Sequence, residues 1–267
     1  MAGLDSGLAS RLNGFYARSV YLPVSSAAQA LRRTSRRLRG VKRGQKTTLP
    51  VGRWQDFLPA KAIAIVAPRK RAGDVSLAEL AVLATAAAAT SAGGEIVEIG
   101  TFEGRTALNF AANAPAHLRI VTLDLPADLE PKFALAPVER VYVDKPVSGR
   151  LFREVAGPWR AAAARIEPRL GDSATFDWSP HFGRAGLVFV DGSHAYDYVV
   201  ADSATALRLV ADKGMVIWHD YGVWEGVTRA LEQLEASRHL GLRHVRGTSL
   251  AIWRKGGDTG DDAKRGR

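Results

Sequence analysis

The chain has no cysteine among its 267 residues. Disulfides, thiolate metal sites and cysteine nucleophiles are excluded. The lack fits a reducing, cytoplasmic setting. Long apolar runs are missing too: none reaches the roughly 18 residues of a membrane span. The richest stretch, "LAELAVLATAAAAT", is mostly alanine and reads as a packed helix. Acids are scarce at one end only. Residues 1–61 hold twelve Lys/Arg against Asp5 and Asp56, while the rest of the chain holds 25 of each sign, so the net charge of +10 sits in the first 61 residues.

The densest part of that extension, "RRTSRRLRGVKRGQK" from Arg32 to Lys46, has eight basic residues and neither acid nor aromatic. It suits an anionic membrane surface or nucleic-acid phosphate, or a solvated arm. The missing aromatics argue against base stacking. Leu8, Leu12, Tyr16 and Val20 recur at helical spacing beside Arg11 and Arg18. They predict a helix for a membrane interface, for the main domain or for a second copy in a homo-oligomer. The Arg- and Ser-rich composition also resembles a transit peptide.

From about residue 62 helices and strands alternate. "SLAELAVLATAAAATSAGG" is a helix with a capping box at Ser76 and Glu79, and "EIVEIG" is a strand. "GRTALNFAANA" is a helix and "RIVTLDL" the second strand. "IEPRLGDS" is a third strand, weakened by Pro168. "AGLVFVDG" and "KGMVIWHD" are further strands, each followed by a helix. "LRHV" and "LAIWRK" form a closing hairpin. This order predicts an α/β fold with a doubly wound, mostly parallel sheet and an antiparallel C-terminal hairpin. The domain spans 62–255, between the extension 1–61 and a low-complexity tail, 256–267.

In such a sheet ligands bind at the carboxyl ends of the strands. The first strand ends in "VEIGTFEGRTALNF", where Gly100 and Gly104 stand without the third glycine of a dinucleotide turn. Glu98 and Glu103 beside that turn would repel a pyrophosphate but suit an ammonium or sulfonium. Asp124 ends the second strand, where an acid can accept ribose hydroxyls. Asp172 and Ser173, in "GDS" after the third, offer an acid and a hydroxyl to an adenine edge. Adenine, ribose and a cationic aminoacyl chain without phosphate describe S-adenosylmethionine.

Residues 76–254 resemble the class I S-adenosylmethionine-dependent methyltransferases, and within them a bacterial branch. "VEIGTFEGRTALNFA", "GDSATFDWSP", "FVDGSHAYDYV", "VIWHDYGVW" and "GTSLAIW" carry the resemblance. It implies a Rossmann-like sheet of seven strands, the last antiparallel and inserted. It also implies that Glu98, Gly100, Thr101, Gly104 and Thr106 line the methionine end, Asp124 the ribose, and Asp172 and Ser173 the adenine. Glu103 joins this set by its place in the turn.

Two apolar strands end in polar residues, the first in Asp191, Ser193 and His194, the second in His219 and Asp220. An alcohol acceptor needs a base or a metal to activate it. In one arrangement Asp191, His219 and Asp220 hold a divalent cation. This looks like the metal-dependent O-methyltransferases of natural-product sugars and catechols. Mg²⁺ is the first choice for such a site, but His219 departs from the acid usual there, which counts against Mg²⁺ and leaves room for Mn²⁺, Fe²⁺ or no metal. In the other, His194 is the general base, Asp191 contacts cofactor or substrate, and His219–Asp220 orients the acceptor. Trp218 is expected in the core and His181 in solvent, while Trp224, Tyr196 and Tyr221 are candidates for the acceptor pocket. The long connection 126–157, with Lys132, Arg140, Lys145, Arg150 and Arg153, is the expected acceptor lid.

The leading expectation is an O-methyltransferase of a small-molecule or sugar hydroxyl. The alternatives are a nucleic-acid methyltransferase using the basic arm and a non-catalytic cofactor-binding module. "HDYG" lacks the N/D-P-P-Y/F pattern of amino-directed enzymes. A nicotinamide enzyme is disfavoured by Glu103 and the missing glycine.

Overall fold

The computed structural model describes residues 46–69, 75–136, 139–145 and 147–256. The chain divides into two compact units, Met1–Gly44 and Gln45–Arg267, and the described residues belong to the second. The expected helix and most of the basic run of the arm, and all but Gly256 of the tail, lie outside the described residues.

Among the described residues eight strands form one sheet. They are β1 (Val51–Gly52), β2 (Glu95–Ile99), β3 (Arg119–Asp124), β4 (Ile166–Leu170), β5 (Ala185–Val190), β6 (Val210–Trp218), β7 (Arg243–Val245) and β8 (Ala251–Arg254). The spatial order is β1-β7-β8-β6-β5-β2-β3-β4. β8 lies antiparallel between β6 and β7, and the other pairs are parallel. The expected inserted antiparallel strand is present. The count is eight rather than seven, because Val51–Gly52, within the expected extension, pairs with His244 and Val245. The Tyr221 hydroxyl fixes this edge, accepting from the Thr48 and Leu49 amides at 3.1 and 3.0 Å. Pro168 is tolerated because β4 is an edge strand.

The helices are α1 (Leu77–Ala89), α2 (Arg105–Asn113), α3 (Arg140–Val143), α4 (Arg150–Glu154), α5 (Arg160–Ala163), α6 (Tyr196–Leu209) and α7 (Glu225–Arg238). Strand side chains alternate between two cores, as the pleat requires. Ile96, Ile120, Phe189 and Ile217 pack with Leu80 and Leu83 of α1 and Phe110 of α2. Val97, Val121, Val188 and Val216 pack with Leu209 of α6 and Leu231 of α7. Burial on both faces explains why the central strands read as unbroken apolar runs.

After β2 the chain runs outward through β3 and β4, then returns to lay β5 on the other side of β2. The order reverses there, and a crevice opens beyond the carboxyl ends of β2 and β5. The Asp191 amide donates to the Ile99 carbonyl at 2.8 Å, drawing the two ends together.

Candidate active site

β5 and β6 pair in parallel with Val190 beside Trp218, so the next residues, Asp191 and His219, emerge together. His219 Nδ1 lies 2.9 Å from Asp191 Oδ1 and 3.4 Å from Asp220 Oδ2. Its Nε2 faces Glu79 Oε2 at 3.5 Å. His194 Nε2 lies 2.8 Å from the same Asp220 oxygen. His194 Nδ1 and its backbone amide both meet the Glu139 carboxylate, which also accepts from Ser193 Oγ at 2.8 Å. Trp224 stacks on the His194 ring, centroids 4.5 Å apart and planes 7° from parallel. The two strand ends therefore meet in one chain, Glu139–His194–Asp220–His219–Asp191, with Glu79 on the far nitrogen of His219.

Sequence reading missed Glu139 and the second role of Glu79. Glu79 closes the expected capping box, accepting from the Ser76 amide at 2.7 Å while its own amide donates to Ser76 Oγ at 3.2 Å. The capping pattern is legible locally, but that this helix start abuts the end of β6 is a tertiary fact. Glu139 sits in the irregular connection, where no periodicity marks it.

Burial dominates the acid–base chemistry here, and paired charges oppose it. Burial disfavours the imidazolium of His194, yet the hydrogen bonds to Asp220 and Glu139 outweigh it and lift its pKa to about 9. His219 is likewise raised against burial by Asp191, Asp220 and Glu79. Burial would raise Glu79 and Asp220, but their imidazole partners hold both below the usual carboxylate range. Asp191 is raised by burial, with His219 opposing. His194 thus has a carboxylate beside each of its ring nitrogens.

A raised imidazole stabilises the fold fully below its unfolded pKa of 6.5 and loses that contribution as pH rises through about 9. Glu79, Glu139 and Asp220 act oppositely, and their contribution is lost as pH falls below the carboxylate range. In urea unfolding with EDTA we expect a stability maximum on the acid side of neutrality. From there to about pH 9 the shift in His194 alone removes about 3 kcal/mol. A flat profile across that range would contradict the double pairing.

Asp191, His219 and Asp220 each offer an atom within 4.8 Å of the others, a set that can hold a metal ion. The donors, one nitrogen and two carboxylates, suit Mg²⁺ or Mn²⁺. Glu79 fits this reading, because a carboxylate on the outer nitrogen is the usual partner of a metal-bound histidine.

Beside this chain lies a cleft of about 650 Å³, counted with the open solvent at its mouth. Gly100, Asp124, Asp172, Ser173, Asp191 and His194 line it. Glu98, Thr101, Glu103, Gly104 and Thr106 are not among its lining residues. Strand parity turns Glu98 to the α1/α2 face, where it is 1% exposed and accepts from Thr122 Oγ1 at 2.6 Å. Burial pushes its carboxyl well above the usual range. Thr101 bonds Thr122 at 2.6 Å, and Thr106 is buried in α2. Gly104 packs against Phe152, and Glu103 pairs with Arg150 at 3.3 Å, so the connection covers the first turn of α2.

The connection's other cations also have internal partners. Lys132 lies over Phe133, Arg140 pairs with Asp144, Lys145 with Asp124, and Arg153 donates to the Ser148 carbonyl. Trp218 is in the core, as expected, donating to Ser203 Oγ at 3.0 Å. Tyr221 is buried under β1, and Tyr196 donates to Gln233, so neither lines the cleft. His181 is not solvated, because Glu95 holds its Nδ1 at 2.8 Å.

A mostly parallel sheet with an inserted antiparallel strand, opening a cleft at its switch point, has the architecture of a class I methyltransferase. Residues 97–221, from within β2 to just past the end of β6, match the family model described as a methyltransferase domain. Several solved structures are similar. The O-methyltransferase TomG from Streptomyces achromogenes, involved in tomaymycin synthesis and solved with SAM, is 21% identical over 68% of this chain and 82% of its own, with a TM-score of 0.47. An O-methyltransferase from Bacillus cereus solved with SAH is 18% identical over 69% and 84%, TM-score 0.47. The calicheamicin methyltransferase CalS11 is 20% identical over 67% and 78%, TM-score 0.47. No curated protein matches the chain. Among the described residues no helix is long and apolar enough to cross a membrane.

Proposed function

We propose that the protein is an S-adenosylmethionine-dependent O-methyltransferase of a small-molecule or sugar hydroxyl. One observation carries the reading: Gly100, Asp124, Asp172, Ser173 and Asp191 line a single cleft at the switch point, beside the imidazole–carboxylate chain. Gly100, at φ +98°, lets backbone approach a ligand closely. Asp124 accepts the ribose hydroxyls, and Asp172 and Ser173 meet the adenine edge. S-adenosylmethionine brings the methyl group, and the surrounding carboxylates favour its sulfonium.

The acceptor must be oriented in line with the methyl and lose a proton. Asp191 lines the cleft, where it can contact cofactor or acceptor. His194 does not serve as a free base while Glu139 and Asp220 hold both its nitrogens. In the metal arrangement Asp191, His219 and Asp220 would hold Mg²⁺ or Mn²⁺. The cation would supply Lewis acidity to the acceptor hydroxyl. We place the protein in the cytoplasm, with the basic arm meeting an anionic surface or a second copy of the chain.

Methyl-labelled S-adenosylmethionine incubated with catechols and sugar hydroxyls, in EDTA or with added Mg²⁺ or Mn²⁺, tests this. We expect transfer that EDTA stops and a cation restores. Transfer indifferent to EDTA overturns the metal arrangement. Cofactor capture without transfer to any hydroxyl reduces the protein to a binding module.

A further inference from the structure

Asp124 and Asp172, which the proposed function gives to the nucleoside, already have partners within the chain. Lys145 Nζ lies 2.7 Å from Asp124 Oδ2, with side chains only 10% and 9% exposed. The same ammonium donates to the Tyr142 carbonyl at 3.0 Å. Asp172 Oδ2 accepts from the Lys132 amide at 2.6 Å and from the Tyr198 hydroxyl at 2.8 Å. Lys132 and Lys145 both belong to the connection between β3 and β4. One stretch of chain therefore places an ammonium beside Asp124 and a backbone donor on Asp172.

Lysines are seldom buried unless paired. Arg140 of the same connection shows the ordinary behaviour, pairing with Asp144 while both remain about half exposed. Lys145 is instead turned inward and lines the cleft with Asp124. A ribose diol needs both oxygens of its carboxylate, and the ammonium sits on one of them. Charged hydrogen bonds are stronger than the neutral hydroxyl bonds that would replace them. A ligand that binds only after an internal contact opens has its affinity reduced by the fraction of molecules already open.

We propose that Lys145 is a resident counter-ion of the ribose site, which a nucleoside must displace from Asp124 in order to bind. The inference rests on the reading of Asp124 as the ribose acid. It makes the β3–β4 connection a determinant of cofactor affinity.

Calorimetric titration of S-adenosylhomocysteine into the full chain tests it, using wild type, Lys145→Met and Lys145→Gln. Methionine keeps the length and apolar stem without the charge, and glutamine is the second variant should methionine impair folding. Removing the competitor should tighten binding about 5- to 10-fold. The ligand-free variants should melt at lower temperature than wild type and gain more from saturating ligand. In wild type, amides 140–145 should exchange faster with ligand bound. Unchanged or weaker affinity in both variants, with normal wild-type binding, overturns the role of Lys145 alone. Binding by a variant but not by wild type supports it. No binding by wild type or either variant overturns the cofactor reading and this inference with it.

Discussion

Alanine at Gly100 should lower the unfolding free energy by about 4 kcal/mol or more and abolish cofactor binding. Gly100 has φ +98°, a conformation L residues rarely adopt. A Cβ there would lie 2.1 Å from the Asp191 carbonyl oxygen and 2.6 Å from its carbon. Both are backbone atoms at the end of the neighbouring strand, so no side-chain rotation relieves the clash. The ends of β2 and β5 would have to part, and these ends floor the cleft and aim Asp191. Gly94→Ala is the matched control, because a Cβ there meets nothing within 4 Å, and it should change stability by about 0.5 kcal/mol at most. Urea unfolding of both variants checks the pair, and equal stabilities would contradict the packing described at Gly100.

Glu79→Ala should cost about 3–5 kcal/mol, well above the loss of a helix cap alone. One carboxylate, 6% exposed, accepts from the Ser76 amide, from the Ser249 amide and hydroxyl at 2.7 and 2.8 Å, and faces the raised imidazole of His219. Its removal leaves several buried donors without an acceptor at once. If His219 ligates a cation, the same variant should weaken Mn²⁺ binding by about 10- to 100-fold, the usual effect of removing a ligand's outer partner. A stability loss of about 1 kcal/mol would mean that Glu79 acts only as a cap.

The strand-end cluster was legible because it is nearly local. Apolar runs stopping on Asp191 and on His219–Asp220 announce two buried parallel strands, and adjacency in the sheet brings their ends together. Gly100, Asp124, Asp172 and Ser173 could be placed together for the same reason, since each stands at or just past the end of a strand. Glu98 shows where motif reading runs out. Period-two alternation puts it with Ile96 on the α1/α2 face, and parity outweighs closeness to the glycine turn. Glu139 and Lys145 were not legible. They lie in an irregular connection whose composition suggests only a polar loop, yet they reach Ser193–His194 and Asp124 across long stretches of chain. β1 escaped notice because two residues carry no period.

The central claim is that the cleft between the ends of β2 and β5 binds S-adenosylmethionine through Asp124. Calorimetry with S-adenosylmethionine on the folded full chain, beside Asp124→Ala, tests it most directly. The account predicts saturable one-site binding in wild type, weakened about tenfold or more in the variant, as loss of hydrogen bonds to a charged group implies. No binding by folded wild type, or equal affinity in the two proteins, would contradict it.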